Sequence, residues 1–474
     1  MAITARSSFQ AASVQAVTSD NYLDIQDNGW AQQYLPDLME KEAEVYGKRT
    51  IAGFLDQVGA EEAMSADQVV WSEQGRLHLS YRADCLSAAA STINITHDID
   101  GVEQTTTHGV RVGDQVLISG GGQTVTALVT VAAAGNQTIT ALPYGGAHLS
   151  DMNFADGDND LRVLVFGSEN SKGTAYSGAR SNKPSFTTFT NKPIILKDQY
   201  EVSGSDASQI GWVEVSGEDG QNGYLWYLKA AGDTRSRFSD YLEMSMIESE
   251  KAADASTILG GANGLVGTEG LFAAIKSRGH QSSGVTGVNA ATDLAEFDAI
   301  LAEFDKNGAI EENMMFVNRA SALAIDDMLA SMNSYGAGGT SYGVFDNDED
   351  MALNLGFSGF RRGSYDFYKS DWKYLNDLAT RGGINENATA GEDIRGVMIP
   401  AGVSSVYDEN LGKNLKRPFL HVRYRASQTE SRKLKTWTTG SVGATTSDLD
   451  AMTMNFLSER CLVTQGANNF MLLN

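Results

Sequence analysis

The chain has 474 residues, enough for about two to four compact domains with a sizeable buried core. Its 36 basic and 60 acidic side chains leave a net charge of −24. That balance disfavours a role that coats nucleic acid through phosphate contacts, while an acidic wall enclosing nucleic acid without gripping it stays open.

Glycine is abundant at 49 and proline scarce at 6, a pairing that points to tight turns and strands rather than proline-rich linkers. Two cysteines far apart in sequence, Cys85 and Cys461, give neither a disulfide framework nor a zinc knuckle. The opening residues carry no apolar leader, and no stretch is long and apolar enough to cross a membrane. Folding in a reducing cytoplasm is therefore expected, where the sequons at Asn94, Asn136 and Asn387 carry no glycan.

Residues 1–35 are polar and weakly periodic, as an extended arm lying on a neighbour or on its own domain would be. A short helix is predicted next, with Pro36 near its start and LMEKEAEVYG as its body. The run from Ser65 to Arg82 reads as a strand or hairpin. Over 84–172 charge falls while Thr, Val and Gly rise. Val110 alternates with Val112, Val116 with Ile118, and Val125, Ala127, Val129 and Val131 continue the period of two. Turns at Gly120–Gly122 and Gly135-Asn136 complete the pattern of a small barrel or sandwich inserted into a larger host. An extended run over 181–217 returns from it, forming with the strand before the insertion a long two-stranded loop.

The longest helix is predicted over about 224–253, with Phe238, Tyr241, Leu242, Ser245 and Ser249 on one face and Glu243 among the charges on the others. A second helix is expected to be capped by Asp293, with Glu296 completing a capping box, and to bury Leu294, Phe297, Ile300, Leu301 and Phe304 before ending at Gly308. ENMMFVN, from Glu312 to Asn318, reads as a buried strand, and a further helix starts at Arg319. Short strands follow in GFRRGSYDFYKS, RGVMIPAGVSSVYD and RPFLHVRYRAS, and the last residues read as two strands joined by a turn at Gly466-Ala467-Asn468.

Catalytic patterns are wanting. The six histidines form no HExxH or paired ligand spacing, and no nucleophile elbow or phosphate loop is present. His97-Asp98 reads as a loop pair. Asp346, Asp348 and Asp350 alternate like calcium ligands, but Met351 and Phe357 replace the glycine and glutamate that such a loop requires. Asp156, Asp158 and Asp160 in ADGDND are the candidate cation ligands, weighed against a plain solvated turn. No catalytic or cofactor-binding residue is assigned, and no enzyme activity is expected. Acidic residues concentrate over 292–327 and basic ones over 411–437, which offers either two faces that meet between copies around a ring or two unrelated solvated faces.

The order of these parts resembles the major capsid proteins of tailed bacteriophages with the HK97 fold. TTFTNKPIILKDQYEVSGSDASQIG looks like the E-loop return strand before the spine helix, and DQVVWSEQGRLHLSY and KRPFLHVRYR are similar to segments of crAss-like podovirus capsid proteins. The resemblance implies an α+β, HK97-like fold with an N-terminal arm over 1–35 and a short helix and the start of the E-loop over 36–83. The inserted all-β module would occupy 84–172 and the E-loop return strand 173–217. The spine helix and peripheral domain would span 218–290, the axial domain with parts of the peripheral domain 291–450, and peripheral strands 451–474.

It further implies self-assembly into hexamers and pentamers of an icosahedral head in the virion, built in the bacterial host cytoplasm. That head would enclose double-stranded DNA without specific binding, with portal and auxiliary or head-fibre proteins as partners and no cofactor or membrane. The module is absent from the minimal fold, and its exterior placement is by resemblance. Lysines 183, 192 and 197 raise covalent crosslinking, for which no isopeptide partner is identified. The rivals are a phage tail, baseplate or decoration protein, and a polysaccharide-acting hydrolase.

Overall fold

The computed structural model describes residues 53–55, 60–76, 78–99, 101–104, 108–132, 137–173, 186–205, 214–216, 222–252, 265–308, 310–334, 358–388, 392–401, 403–408, 413–440 and 447–474. The expected N-terminal arm, the helix near Pro36, Gly135-Asn136, Lys183 and the Asp346–Asp350 run lie outside the described residues. The chain forms two compact units: Val70–Thr190, and a larger one of Met1–Val69 with Asn191–Asn474. Strands are numbered along the chain, with β2 to β9 belonging to the smaller unit.

One sheet of the larger unit runs β13 (His280–Ser282), β23 (Met471–Leu473), β17 (Gly396–Pro400), β14 (Glu312–Val317), β16 (Tyr365–Asp371), β15 (Ser358–Arg362). Successive side chains on a strand point to opposite faces, and here both faces are apolar. Met315, Val317, Met398, Met471 and Leu473 enter one core, where helices α3 (Ala290–Asn307) and α4 (Arg319–Ser334) contribute Phe297, Phe304, Ile325 and Met328. Phe316, Val397, Ile399 and Leu472 enter the other, with Met246 and Ile247 of α1 (Leu225–Glu248) and Leu271, Phe272 and Ile275 of α2 (Leu271–Arg278). Burial on both faces is why ENMMFV and GVMIP read as continuous apolar runs rather than alternating ones.

Helix α3 buries Phe297, Ile300, Leu301 and Phe304 as its spacing predicts, and closes at Gly308 with φ 62°. The predicted cap is corrected. Asn289 caps the helix, its side chain accepting from the Ala291 amide. Asp293 lies inside the first turn and accepts from the Gly287 amide at 3.1 Å, while Glu296 accepts from the Val285 amide at 2.6 Å. The helix thus begins further upstream, and both carboxylates brace the incoming loop instead of the helix end.

Helix α1 ends at Glu248, short of the expected 253. Its buried stripe is Phe238, Leu242, Glu243, Met246 and Ile247, while Tyr241 is 47% exposed. Phe238 and Leu242 pack on Leu196, Met454 and Phe456 of a second sheet. At its centre lies β22 (Ala451–Thr464). β10 (Ile194–Ser203) runs antiparallel along Ala451–Arg460 on one side. On the other side β21 (Lys435–Gly440) and β20 (Leu420–Arg425) pair end to end with β22, and β1 (Ala60–Met64) runs parallel to β20. Two short hairpins, β11 (Glu214–Ser216) with β12 (Asn222–Tyr224) and β18 (Val403–Asp408) with β19 (Lys413–Pro418), complete the strands among the described residues of this unit. The final two strands, β22 and β23, lie in different sheets rather than forming a hairpin; Gly466 at φ 59° and the single turn Ala467–Asn469 carry the chain between them.

In the smaller unit β2 (Val69–Gln74) pairs with β9 (Phe186–Asn191). Between them, β3 (Ser80–Ser87), β4 (Thr92–Asp98), β5 (Asp114–Gly120), β6 (Gln123–Ala132), β7 (Thr138–Pro143) and β8 (Leu161–Ser168) close a barrel in the order β3-β4-β7-β6-β5-β8. Ala83, Ile93, Ile95, Val116, Ile118, Ala127, Val129, Ile139, Leu161 and Val163 fill it. The β5–β6 turn needs two residues with positive φ, supplied by Gly121 (58°) and Gly122 (80°). Two expected inward valines are corrected: Val112 lies before β5 and is exposed, and Val131 is 53% exposed. A bulge between Val129 and Val131 puts Val129 opposite Ala141 but Val131 opposite Thr140, so the alternation breaks there.

Candidate interaction surfaces

Of the sequence candidates for cation binding, Asp156 and Asp158 hold backbone amides of their loops. Asp156 accepts from the Ala88 amide at 2.6 Å and Asp158 from the Ala155 amide at 2.8 Å, while Asp160 lies 3.5 Å from Arg162. Among the described residues no group of three His, Cys, Asp or Glu side chains converges as a metal site. In the His97-Asp98 pair, Asp98 accepts from the Val102 amide at 2.8 Å, holding its own loop.

The described part of the basic segment is not a bare cationic face. Glu459, whose side chain is 11% exposed, lies 2.7 Å from Arg432 and 3.9 Å from Arg425. Arg425 also pairs with Asp67, Arg423 with Glu62 at 2.8 Å, Lys433 with Glu61, and Lys435 with Glu430. Strands β1 and β22 set Glu61, Glu62 and Glu459 alongside β20, and loop residues Asp67 and Glu430 add to them, so the described cations are paired locally. The acidic segment is partly neutralised as well: Asp298 pairs with Arg362 at 2.7 Å and Asp326 with Lys369, while Asp305 accepts a hydrogen bond from the neutral Tyr365 hydroxyl at 2.7 Å. Among the described residues both segments are thus paired locally.

Two buried polar anchors escaped the sequence reading. Asn191 is 1% exposed. Its Nδ2 donates to the carbonyls of Glu269 (3.0 Å) and Leu462 (2.6 Å), and its Oδ1 accepts from the amides of Lys192 and Glu269 (both 2.9 Å) and from the Thr268 hydroxyl (3.1 Å). It fixes the start of β10 against β22 and the loop before α2. The second anchor is Glu243 of α1, which was expected on an outer face. It is buried, and its carboxylate accepts from the amides of Gly53 (2.7 Å) and Leu55 (2.9 Å). Between them Phe54 stacks on Trp372 (4.3 Å, 21°) and meets Phe316 edge-on (4.7 Å, 82°).

At the end of α1, Glu248 accepts from the Tyr374 hydroxyl at 2.7 Å and pairs with Arg381 at 3.0 Å. Burial first, and the Glu248 charge second, push the Tyr374 phenol far above its ordinary range, so it stays a donor.

Both cysteines are buried and unbonded to each other. Burial pushes the Cys461 thiol up to about 12, and the Cys85 thiol is raised by burial and by Asp156. Since the thiolate is the nucleophile, neither cysteine is expected to react with an aromatic disulfide reagent at pH 8 until denaturant is added. Two thiols should then titrate. Rapid labelling of the native protein would contradict this packing.

No described helix is long and apolar enough to cross a membrane. No protein-family model matches the chain, and no curated protein does. Among solved structures the chain is similar to the capsid structure of cyanophage P-SCSP1u, at 9% identity over 94% of this chain and 93% of that one, with a TM-score of 0.41. It is similar to a chain of Mycobacterium phage Ogopogo at 11% identity over 94% and 98%, with a TM-score of 0.42. It is also similar to the asymmetric unit of the bacteriophage PhiM1 mature capsid, at 8% identity over 93% and 92%, with a TM-score of 0.39.

Proposed function

We propose that the chain is the subunit of a self-assembling shell, a major capsid protein of the HK97-like kind. The observation that carries this reading is the course of the chain around β22. Strand β10, arriving from the β2–β9 ribbon, lies along β22 for ten residues, and α1 packs across both through Phe238 and Leu242. A long extended loop returning into a sheet beneath a long helix is the arrangement expected of an E-loop, peripheral sheet and spine helix. The sheet flanked by α3 and α4 on one face and α1 and α2 on the other would then be the axial body.

In this reading residues 1–35 are an arm reaching a neighbouring copy, and the ribbon carries the barrel as an exterior module. Hexamers and pentamers close an icosahedral head in the virion, and DNA inside meets an acidic wall without specific contacts. The work done is assembly, and no step of chemistry is assigned to any side chain.

Removing residues 1–30 tests the arm. The truncated chain is expected to retain the wild-type circular dichroism spectrum and to lose particle formation. Normal particles from the truncated chain would sink this assignment of the arm.

A further inference from the structure

We propose that two copies of this chain pack barrel to barrel, face to face through β5, β6 and β8, about a twofold axis that crosses β8 near Phe166. This inference goes beyond the shell reading and does not rest on it.

The outer surface of the barrel is divided. Across the ring of strands from β5 lies β4, whose outward residues are Thr92, Asn94 and Thr96. On the β5 side the outward residues are apolar. Leu117 stands opposite Leu164, and Leu128 opposite Leu142. Gln115 pairs with Gly167 but Val116 with Val165, which leaves Phe166 as the extra residue of a bulge, turned outward. Phe166 is 53% exposed, Tyr144 51%, Leu164 39% and Leu142 37%. Neighbours on one face of adjacent strands lie about 5 Å apart, so these side chains form one patch rather than scattered residues. A contiguous apolar patch of this kind marks an interaction site.

Charge at the two ends of the patch selects the occupant. At one end Arg82 of β3 and Arg162 of β8 stand directly opposite each other, and like charges so placed repel. Arg162 has Asp160 at 3.5 Å, whereas the buried Nε of Arg82 has no hydrogen-bond partner among the described residues. Asp84, further along β3, is taken up by the Asp160 amide at 3.3 Å. At the other end Glu169, just past β8, accepts from Gln115 Nε2 at 3.3 Å and from the Tyr144 hydroxyl, both neutral groups.

The face is therefore complementary to itself in one orientation. A twofold axis lying in the face and crossing the strands reverses each strand on its copy, so Arg82 and Arg162 of one chain meet Glu169 of the other, twice over. An axis along the strands would bring Arg162 level with Arg162 and Glu169 with Glu169. The midpoint between Arg162 and Glu169 falls at Val165 and Phe166, so the apolar patch sits on the axis and covers itself. Two sheets stacked this way interdigitate their side chains at a spacing of about 10 Å. The apolar centre supplies the hold, and the unlike charges at the rim fix the orientation.

Sedimentation equilibrium of the full chain, below concentrations that give particles, tests this. Phe166→Asp, Arg162→Glu and Glu169→Arg should each weaken dimerisation about tenfold or more, because the first charges the centre and the other two make both rim pairs repulsive. An equimolar mixture of Arg162→Glu with Glu169→Arg should recover association, since the mixed dimer has unlike charges on both sides. As a second readout, Phe166→Cys should crosslink copy to copy with a short bismaleimide, while Asn94→Cys on the polar side should not; the native cysteines are buried. All these side chains point outward, so each variant should keep the wild-type circular dichroism spectrum. A wild-type chain that stays monomeric, or whose patch binds only a different protein, would overturn the proposal. So would charge variants that associate as wild type does, or a mixture no tighter than either variant alone.

Discussion

Replacing Asn191 with leucine is expected to destabilise the larger unit by about 3–5 kcal/mol in urea unfolding, because a single apolar side chain strands several buried partners. The amide of Glu269, the carbonyls of Glu269 and Leu462 and the Thr268 hydroxyl all bond to Asn191, which is itself almost fully buried. Leucine keeps the branched outline but brings no donor or acceptor and is somewhat larger, so none of the four finds a replacement in it. Each unsatisfied buried group costs roughly 1–3 kcal/mol, and relaxation of the loop recovers part of the sum. Thr268→Ala removes one of these bonds and should cost only about 1 kcal/mol. If the leucine variant unfolds at the wild-type midpoint, the root of β10 is not held as described here.

Phe54→Ala is expected to cost about 3–5 kcal/mol, the usual range for deleting a buried aromatic ring. The ring is 4% exposed and sits between Trp372 and Phe316, so its removal leaves a cavity bounded by two large side chains that cannot easily collapse into it. Glu243→Gln weakens two charge-assisted bonds to the flanking amides and should cost about 1–3 kcal/mol. The two changes act on the same three residues, so their effects should not add: once Phe54 has left its site, Glu243 has less to hold. Strict additivity in the double variant would show that Gly53–Leu55 is not anchored as one piece.

The parts that could be read in advance are those with a local cause. Strand β14 announces itself as an apolar run because both its faces are covered, and α3 because Phe297, Ile300, Leu301 and Phe304 recur at helical spacing. The errors have non-local causes. Val131 turns outward because of a bulge, which depends on pairing with β7 and leaves no mark on a period of two. Asp293 has the form of a cap, but Asn289 stands four residues earlier and takes the role. Glu243 looks like one more exposed helix charge until the amides of Gly53 and Leu55, about 190 positions away, are placed beside it.

The same holds for charge. Counting along 411–437 gives a basic segment; folding sets Glu61, Glu62, Asp67 and Glu459 against it from two other strands and a loop. Asn191, followed by lysine and proline, reads as an ordinary strand end. Its significance lies in Thr268, Glu269 and Leu462, which no local pattern brings near it.

The claim at the centre of this account is that the chain builds a closed shell from copies of itself. Electron microscopy of the purified full-length protein, expressed with any scaffold it needs, tests that most directly. The account predicts hexameric and pentameric capsomers and closed icosahedral particles. A stable, well-folded monomer that forms neither at high concentration, or that hydrolyses a glycan or ester instead, would contradict it.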